Sequence, residues 1–185
     1  DLETQVTPQI DMEDFEIFLS SYFNANFRSL VYTHPARYAE LGASFLPVDV
    51  NPLIYGTYVA FPRDLEAAQI VYDGRWELGQ HPVQFSITQY YEVPLCIKRN
   101  LEDGVAFVMM SPTDDCFAIE TPYNMEPPDN VAAHYSLYMS LFGIDIAAGV
   151  TRTARTRLVF ERDLAEQHAV DLYDEYMIFI EQLSK

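Results

Sequence analysis

The sequence predicts an α+β fold: a single antiparallel sheet of about five to seven strands with helices packed against it. Three observations carry that expectation. From Leu53 to Tyr123, short apolar and β-branched runs alternate with turn residues at even spacing, the pattern of a meander rather than of βαβ units. Apolar residues at three- and four-residue steps bracket this stretch on both sides. Hydrophobic residues make up 49% of the 185 positions, enough for one domain with a sizeable core.

Taken in order, residues 1–10 are polar, contain Pro8 and show no period, which predicts a flexible arm ahead of a single domain over 11–185. Asp11 to Leu30 predicts an N-terminal helix. Met12, Phe15, Leu19, Tyr22, Phe23, Phe27 and Leu30 recur at helical spacing, and Asp11, Glu13, Asp14 and Glu16 crowd its start, where the helix dipole favours negative charge. Ala36 to Phe45 predicts a second, short helix.

Leu53 to Phe61 reads as the first strand, stopped by Pro62. The strongest local signal is a hairpin, Gln69–Tyr72 and Arg75–Leu78 joined by Asp73-Gly74, a pair suited to a turn with positive φ. Val83, Phe85, Ile87 and Tyr91 alternate with polar residues, as in a half-buried strand, and Pro94 marks a bulge or an edge. Val105–Met110 is continuously apolar, which fits a central strand covered on both faces. Cys116 to Thr121 returns the chain.

Asn130 to Phe142 predicts a buried helix, apolar nearly all round, with Asp129 as N-cap and Gly143 just past its end. Val150 to Arg162 is a basic strand. Leu164 to Leu183 predicts a C-terminal helix with Asp163 and Glu166 at capping-box spacing.

Composition narrows the function classes. Twenty-eight acidic residues against 11 basic ones give a net charge of −17. Such a chain is repelled by nucleic acids and by anionic membranes, and it has no apolar run long enough to span a bilayer. Particle-associated or cytoplasmic placement is expected over secretion, since Cys96 and Cys116 are too few for a disulfide framework and read as buried free thiols. Thirteen Tyr and 12 Phe exceed what a plain core needs and fit contact surfaces.

Candidate sites are few. Arg152, Arg155, Arg157 and Arg162 concentrate in one strand, with Arg155 and Arg157 on one face and Arg152 and Arg162 on the other. Arginine forks there could dock an acidic surface, or pair internally with the acidic C-terminal helix. Asp171, Asp174 and Glu175 form an acidic cluster one turn after His168, on what reads as a solvated helix face. Asp114-Asp115 fits turn chemistry. Glu120 is a candidate buried carboxylate, although a Glu at a strand end is ordinarily solvated. His134, Tyr135 and Arg155 could serve a pocket between sheet and helices. No phosphate loop, dinucleotide fingerprint, metal spacing or nucleophile elbow occurs, so no cofactor, no metal and no catalytic residue is expected. The leading expectation is a non-enzymatic protein–protein module, a structural subunit of a larger homo- or hetero-oligomeric assembly, viral particles included. One alternative is an acidic binding protein, of the immunity-protein or secretion-chaperone kind, that shields a basic client. The other is a small-ligand-binding protein or enzyme with a pocket between sheet and helices.

Overall fold

A computed structural model describes residues 1–34, 42–48, 58–78, 83–122 and 135–183. The chain forms two stacked sheets rather than one. The strands are β1 (Leu2–Val6), β2 (Met12–Phe23), β3 (Phe27–Thr33), β4 (Ser44–Pro47), β5 (Tyr58–Pro62), β6 (Phe85–Ile87), β7 (Tyr91–Asn100), β8 (Val105–Met110), β9 (Cys116–Pro122), β10 (Tyr135–Ile146) and β11 (Arg152–Arg162). Helix α1 (Leu65–Val71) follows β5 and helix α2 (Glu166–Leu183) ends the described chain. The six-stranded sheet has the order β1-β11-β8-β7-β3-β4, and the five-stranded sheet the order β2-β10-β9-β5-β6. All pairings are antiparallel except β5 with β6.

The two inner faces share one core. Val31, Cys96, Met109 and Ala154 from the six-stranded sheet meet Phe61, Cys116, Ile119, Leu137, Met139 and Leu141 from the other. Each outer face is covered in turn. Leu95, Ile97, Val108 and Met110 lie under Ala169, Tyr173 and Tyr176 of α2, while Ala60, Phe117 and Ala118 lie under Ala67, Ile70 and Val71 of α1. The result is four layers, helix–sheet–sheet–helix, with apolar surface buried at each junction.

This architecture corrects the expectation of a single sheet with three helices, and each correction has a local cause. Residues 11–30, expected as a helix, form β2 and β3. Phe15, Ile17 and Leu19 of β2 face the core, while Glu16, Phe18 and Tyr22 face outward onto other aromatic groups. A strand covered on both faces loses its two-residue alternation, and the remaining apolar residues mimic helical spacing. The same cause turns 135–142 from an expected buried helix into the central strand β10; residues 130–134 lie outside the described residues, as does most of the expected helix over 36–45. Gly143 takes a positive φ of 62°, as expected past a helix end, but it does so at a bulge in β10, where an added Cβ would stand 2.5 Å from Cγ of Phe117.

The expected hairpin at 69–78 is also replaced. Asp64 Oδ1 accepts a hydrogen bond from the Ala67 amide at 2.9 Å and caps α1, which runs to Val71. Asp73-Gly74 does turn the chain, with Gly74 at φ 87°, but into a short 3₁₀ turn, Arg75–Glu77. Helix α2 starts at Glu166, and Asp163 sits at φ 55° in the turn before it, so the capping box does not form. The expected loose arm contributes edge strand β1 on β11. Other expectations hold: β8 lies between β11 and β7 in the sheet interior, Pro94 falls in the irregular stretch of the β3–β7 pairing, and both cysteines are buried free thiols.

Candidate functional site

The outer face of the five-stranded sheet is only partly covered by α1. Beyond the helix, Trp76, Val83 and Phe85 stand over this face and border a half-open cavity of about 220 Å³. Its lining includes Phe18, Ser20 and Tyr22 of β2, Tyr138 of β10, Glu120 of β9 and Tyr58 of β5, with Trp76, Val83 and Phe85 as the cover. These residues share a face because strand side chains alternate, and the intervening Leu19, Ile119 and Met139 point into the core. The rings form a continuous chain. Trp76 stacks on Phe18 at 4.7 Å, Phe18 meets Tyr138 at 5.6 Å, Tyr138 meets Tyr58 at 6.1 Å, and Tyr58 meets Phe85 at 5.8 Å. A second void of about 150 Å³ lies beside the same cover, again against Trp76, Val83 and Phe85.

Two carboxylates are buried at this face. Glu16 is held from the cover: the indole Nε1 of Trp76 donates to its Oε2 at 3.3 Å, and Nη1 of Arg75 lies 3.9 Å away. Glu120 is only 2% exposed, and its Oε2 finds no hydrogen-bond partner among the described residues. The Ser140 hydroxyl stands near both carboxylates and draws each back toward the usual range, although neither contact reaches full hydrogen-bond geometry, and Ser136 Oγ is without a partner among the described residues. Burial, reinforced by the negative charge of Glu16, pushes the Glu120 carboxyl well above the usual carboxylate range. Burial raises Glu16 as well, opposed by Trp76, Arg75 and Ser140. An unpartnered carboxyl in an apolar wall is costly to a fold and characteristic of sites built to meet something else.

The cover is tied down at its ends. Asp73 pairs with Arg75, and Arg75 Nη1 donates to the Asp14 carbonyl at 2.7 Å. The Val83 amide donates to the Trp76 carbonyl at 2.8 Å, and the Tyr58 amide to the Gln84 carbonyl at 2.9 Å. On the far side of Arg75 an open groove of about 710 Å³ runs past Glu13, Asp14, Asp73 and Glu77. It is larger but shallow, and it lacks aromatic walls.

The residues singled out from sequence lie elsewhere. Arg155 and Arg157 do share a face of β11, and they pair internally, but with β1 rather than with the acidic helix: Arg155 Nη2 lies 3.1 Å from Glu3, and Arg157 makes two hydrogen bonds to Asp1 at 2.6 and 2.9 Å. The Arg157 guanidinium also covers the rings of Tyr176 and Phe179 of α2, at 4.5 and 5.0 Å. Arg152 and Arg162 are exposed, and Arg162 donates to the Asp103 carbonyl at 3.1 Å. Asp171, Asp174 and Glu175 are exposed on α2, where Asp171 accepts from Gln167 at 3.0 Å. Asp115 accepts from the Arg155 amide at 2.8 Å, joining the turn to β11. His134 lies outside the described residues. Among the described residues, no three His, Cys, Asp or Glu side chains gather as a metal group, and no helix is long and apolar enough to cross a membrane.

Of the groups at the cavity, only Glu120 was recognisable in the sequence, and there a solvated position was expected. Glu16 read as a helix-start acid and Trp76 as a hairpin arm. No family model matches the chain, and neither a curated protein nor a solved structure matches it.

Proposed function

We propose that the protein binds a small organic ligand in the cavity between the outer face of the five-stranded sheet and the cover formed by Trp76, Val83 and Phe85. The observation that carries this reading is Glu120, a fully enclosed carboxyl with an unpartnered oxygen, at the wall of a space lined by six aromatic rings. Apolar walls with a few convergent polar groups are the usual make-up of a ligand site. The reading is one of binding: the described lining offers aromatic walls and a carboxyl that a ligand could meet. Trp76 is the single tryptophan and forms part of the wall, so its emission reports occupancy directly. Titrating a fragment collection of cationic, neutral and anionic members should shift Trp76 emission for one charge class. Substituting Tyr138 by Ala should abolish the shift. A collection that leaves the emission unchanged throughout would count against the site.

A second reading is favoured by another surface. Leu2, Leu158, Phe160, Phe179 and Leu183 are exposed along β1, β11 and α2, with Leu158 57% and Phe160 59% accessible. Leu158 and Phe160 project from the face of β11 opposite to α2, and exposed apolar groups of this kind fit a contact with another protein. Light scattering across protein and salt concentration tests it: association should weaken when Phe160 becomes Ser, and a monomer at every concentration would remove self-association.

A further inference from the structure

We propose that the group accepted by this cavity is an organic ammonium ion, a protonated or quaternary amine; the inference rests on the ligand-binding reading above. The walls are electron-rich in two independent ways. Aromatic rings attract cations through the negative potential over their faces, and Trp, Tyr and Phe all line the space. Glu120 adds a buried carboxyl to the wall, its Oε2 unpartnered among the described residues. Among the described lining residues none is basic.

The two nitrogen donors nearest the space are engaged. The indole N–H of Trp76 is given to Glu16, and the nearby guanidinium of Arg75 is held by Asp73 and the Asp14 carbonyl. Size also selects: about 220 Å³ falls below the roughly 300–1,000 Å³ of sites for drug-sized ligands, so the space suits a headgroup of a few heavy atoms. The net charge of −17 raises the local concentration of any cation.

The test compares three probes on the full chain, followed by Trp76 emission and by saturation-transfer NMR of probe methyl and methylene signals. Choline and ethanolamine carry the ammonium, and dimethylbutanol is the neutral carbon isostere of choline. The expected result is that at least one ammonium probe binds about ten-fold or more tighter than dimethylbutanol, the scale of a single charge-specific contact. Glu120→Gln should erase that preference while leaving dimethylbutanol unchanged. Phe85→Leu, at a half-buried position on the edge strand, should weaken the ammonium probe several-fold, which keeps the test open should the Glu120 variant fold poorly. Equal affinity for choline and dimethylbutanol, or binding by neutral fragments alone, overturns the ammonium inference and leaves the cavity as a ligand site. No binding by any probe or fragment overturns both.

Discussion

Glu120 shows what a single side chain does to the free energy of this fold. It lies on β9, between β10 and β5, so its carboxyl cannot reach the rim of the sheet. Burial raises its folded pKa above the unfolded value, so the folded state binds the proton more tightly. The stabilising contribution of the neutral carboxyl is complete below the unfolded pKa of about 4.5 and is lost as pH rises from there toward the raised folded value. Glu16, raised for the same reason, adds to the same trend; Arg75, Trp76 and Ser140 offset part of it, and Asp73 opposes that offset. A Gln at position 120 keeps the shape and removes the titration. Urea unfolding of the wild type and Glu120→Gln across pH should therefore converge near the unfolded pKa and separate above it, the variant gaining up to about 1.4 kcal/mol per pH unit within the window. Parallel curves at every pH would show that the carboxyl does not titrate there.

At the scale of elements, the arginines of β11 act as fasteners. Strand β1 is an edge strand, joined to β11 by backbone pairing from Leu2↔Thr156 to Val6↔Arg152 and by two ion pairs. The two pairs are unequal. The Arg155–Glu3 pair is more than a third exposed on both sides, so screening leaves Arg155→Ala a loss of about 0–0.5 kcal/mol. Arg157 also lies over the Tyr176 and Phe179 rings, so Arg157→Ala loses stacked area as well as a partly exposed bidentate pair, about 1–2 kcal/mol in all. Thermal or urea unfolding should rank the two variants in that order, with 1 M salt narrowing the Arg155 effect first. An Arg155 variant as costly as the Arg157 one would show that charge, not stacking, holds β1 and α2 to β11.

Whole-molecule packing decides the state of the thiols. Cys96 of β7 and Cys116 of β9 belong to opposite sheets, and both are fully enclosed in the shared core. Cys96 Sγ donates to the Met109 carbonyl at 3.6 Å and Cys116 Sγ to the Ala118 carbonyl at 3.2 Å. Burial pushes both thiols up, away from the reactive thiolate. Neither cysteine should react with a thiol reagent such as DTNB in the native protein at neutral pH. Both should become reactive in the same denaturant interval in which the sheets separate, as followed by circular dichroism. Fast native labelling at either position would contradict the enclosed core.

The sequence by itself determined the local chemistry. Asp73-Gly74 turns the chain, Gly143 takes a positive φ, β8 runs apolar through a sheet interior, β11 is a strand with its arginines on alternating faces, and α2 ends the described fold. Turn chemistry and residue alternation of this kind depend on neighbouring residues, whereas the neighbours of β8 and the bulge at Gly143 belong to the packed sheets. Only the tertiary structure decided that β2, β3 and β10 are strands, that there are two sheets, and that Glu16, Glu120 and Trp76 meet at one cavity. A strand covered on both faces carries no alternation to distinguish it from a helix, and a carboxyl's burial depends on elements up to a hundred residues away in the chain.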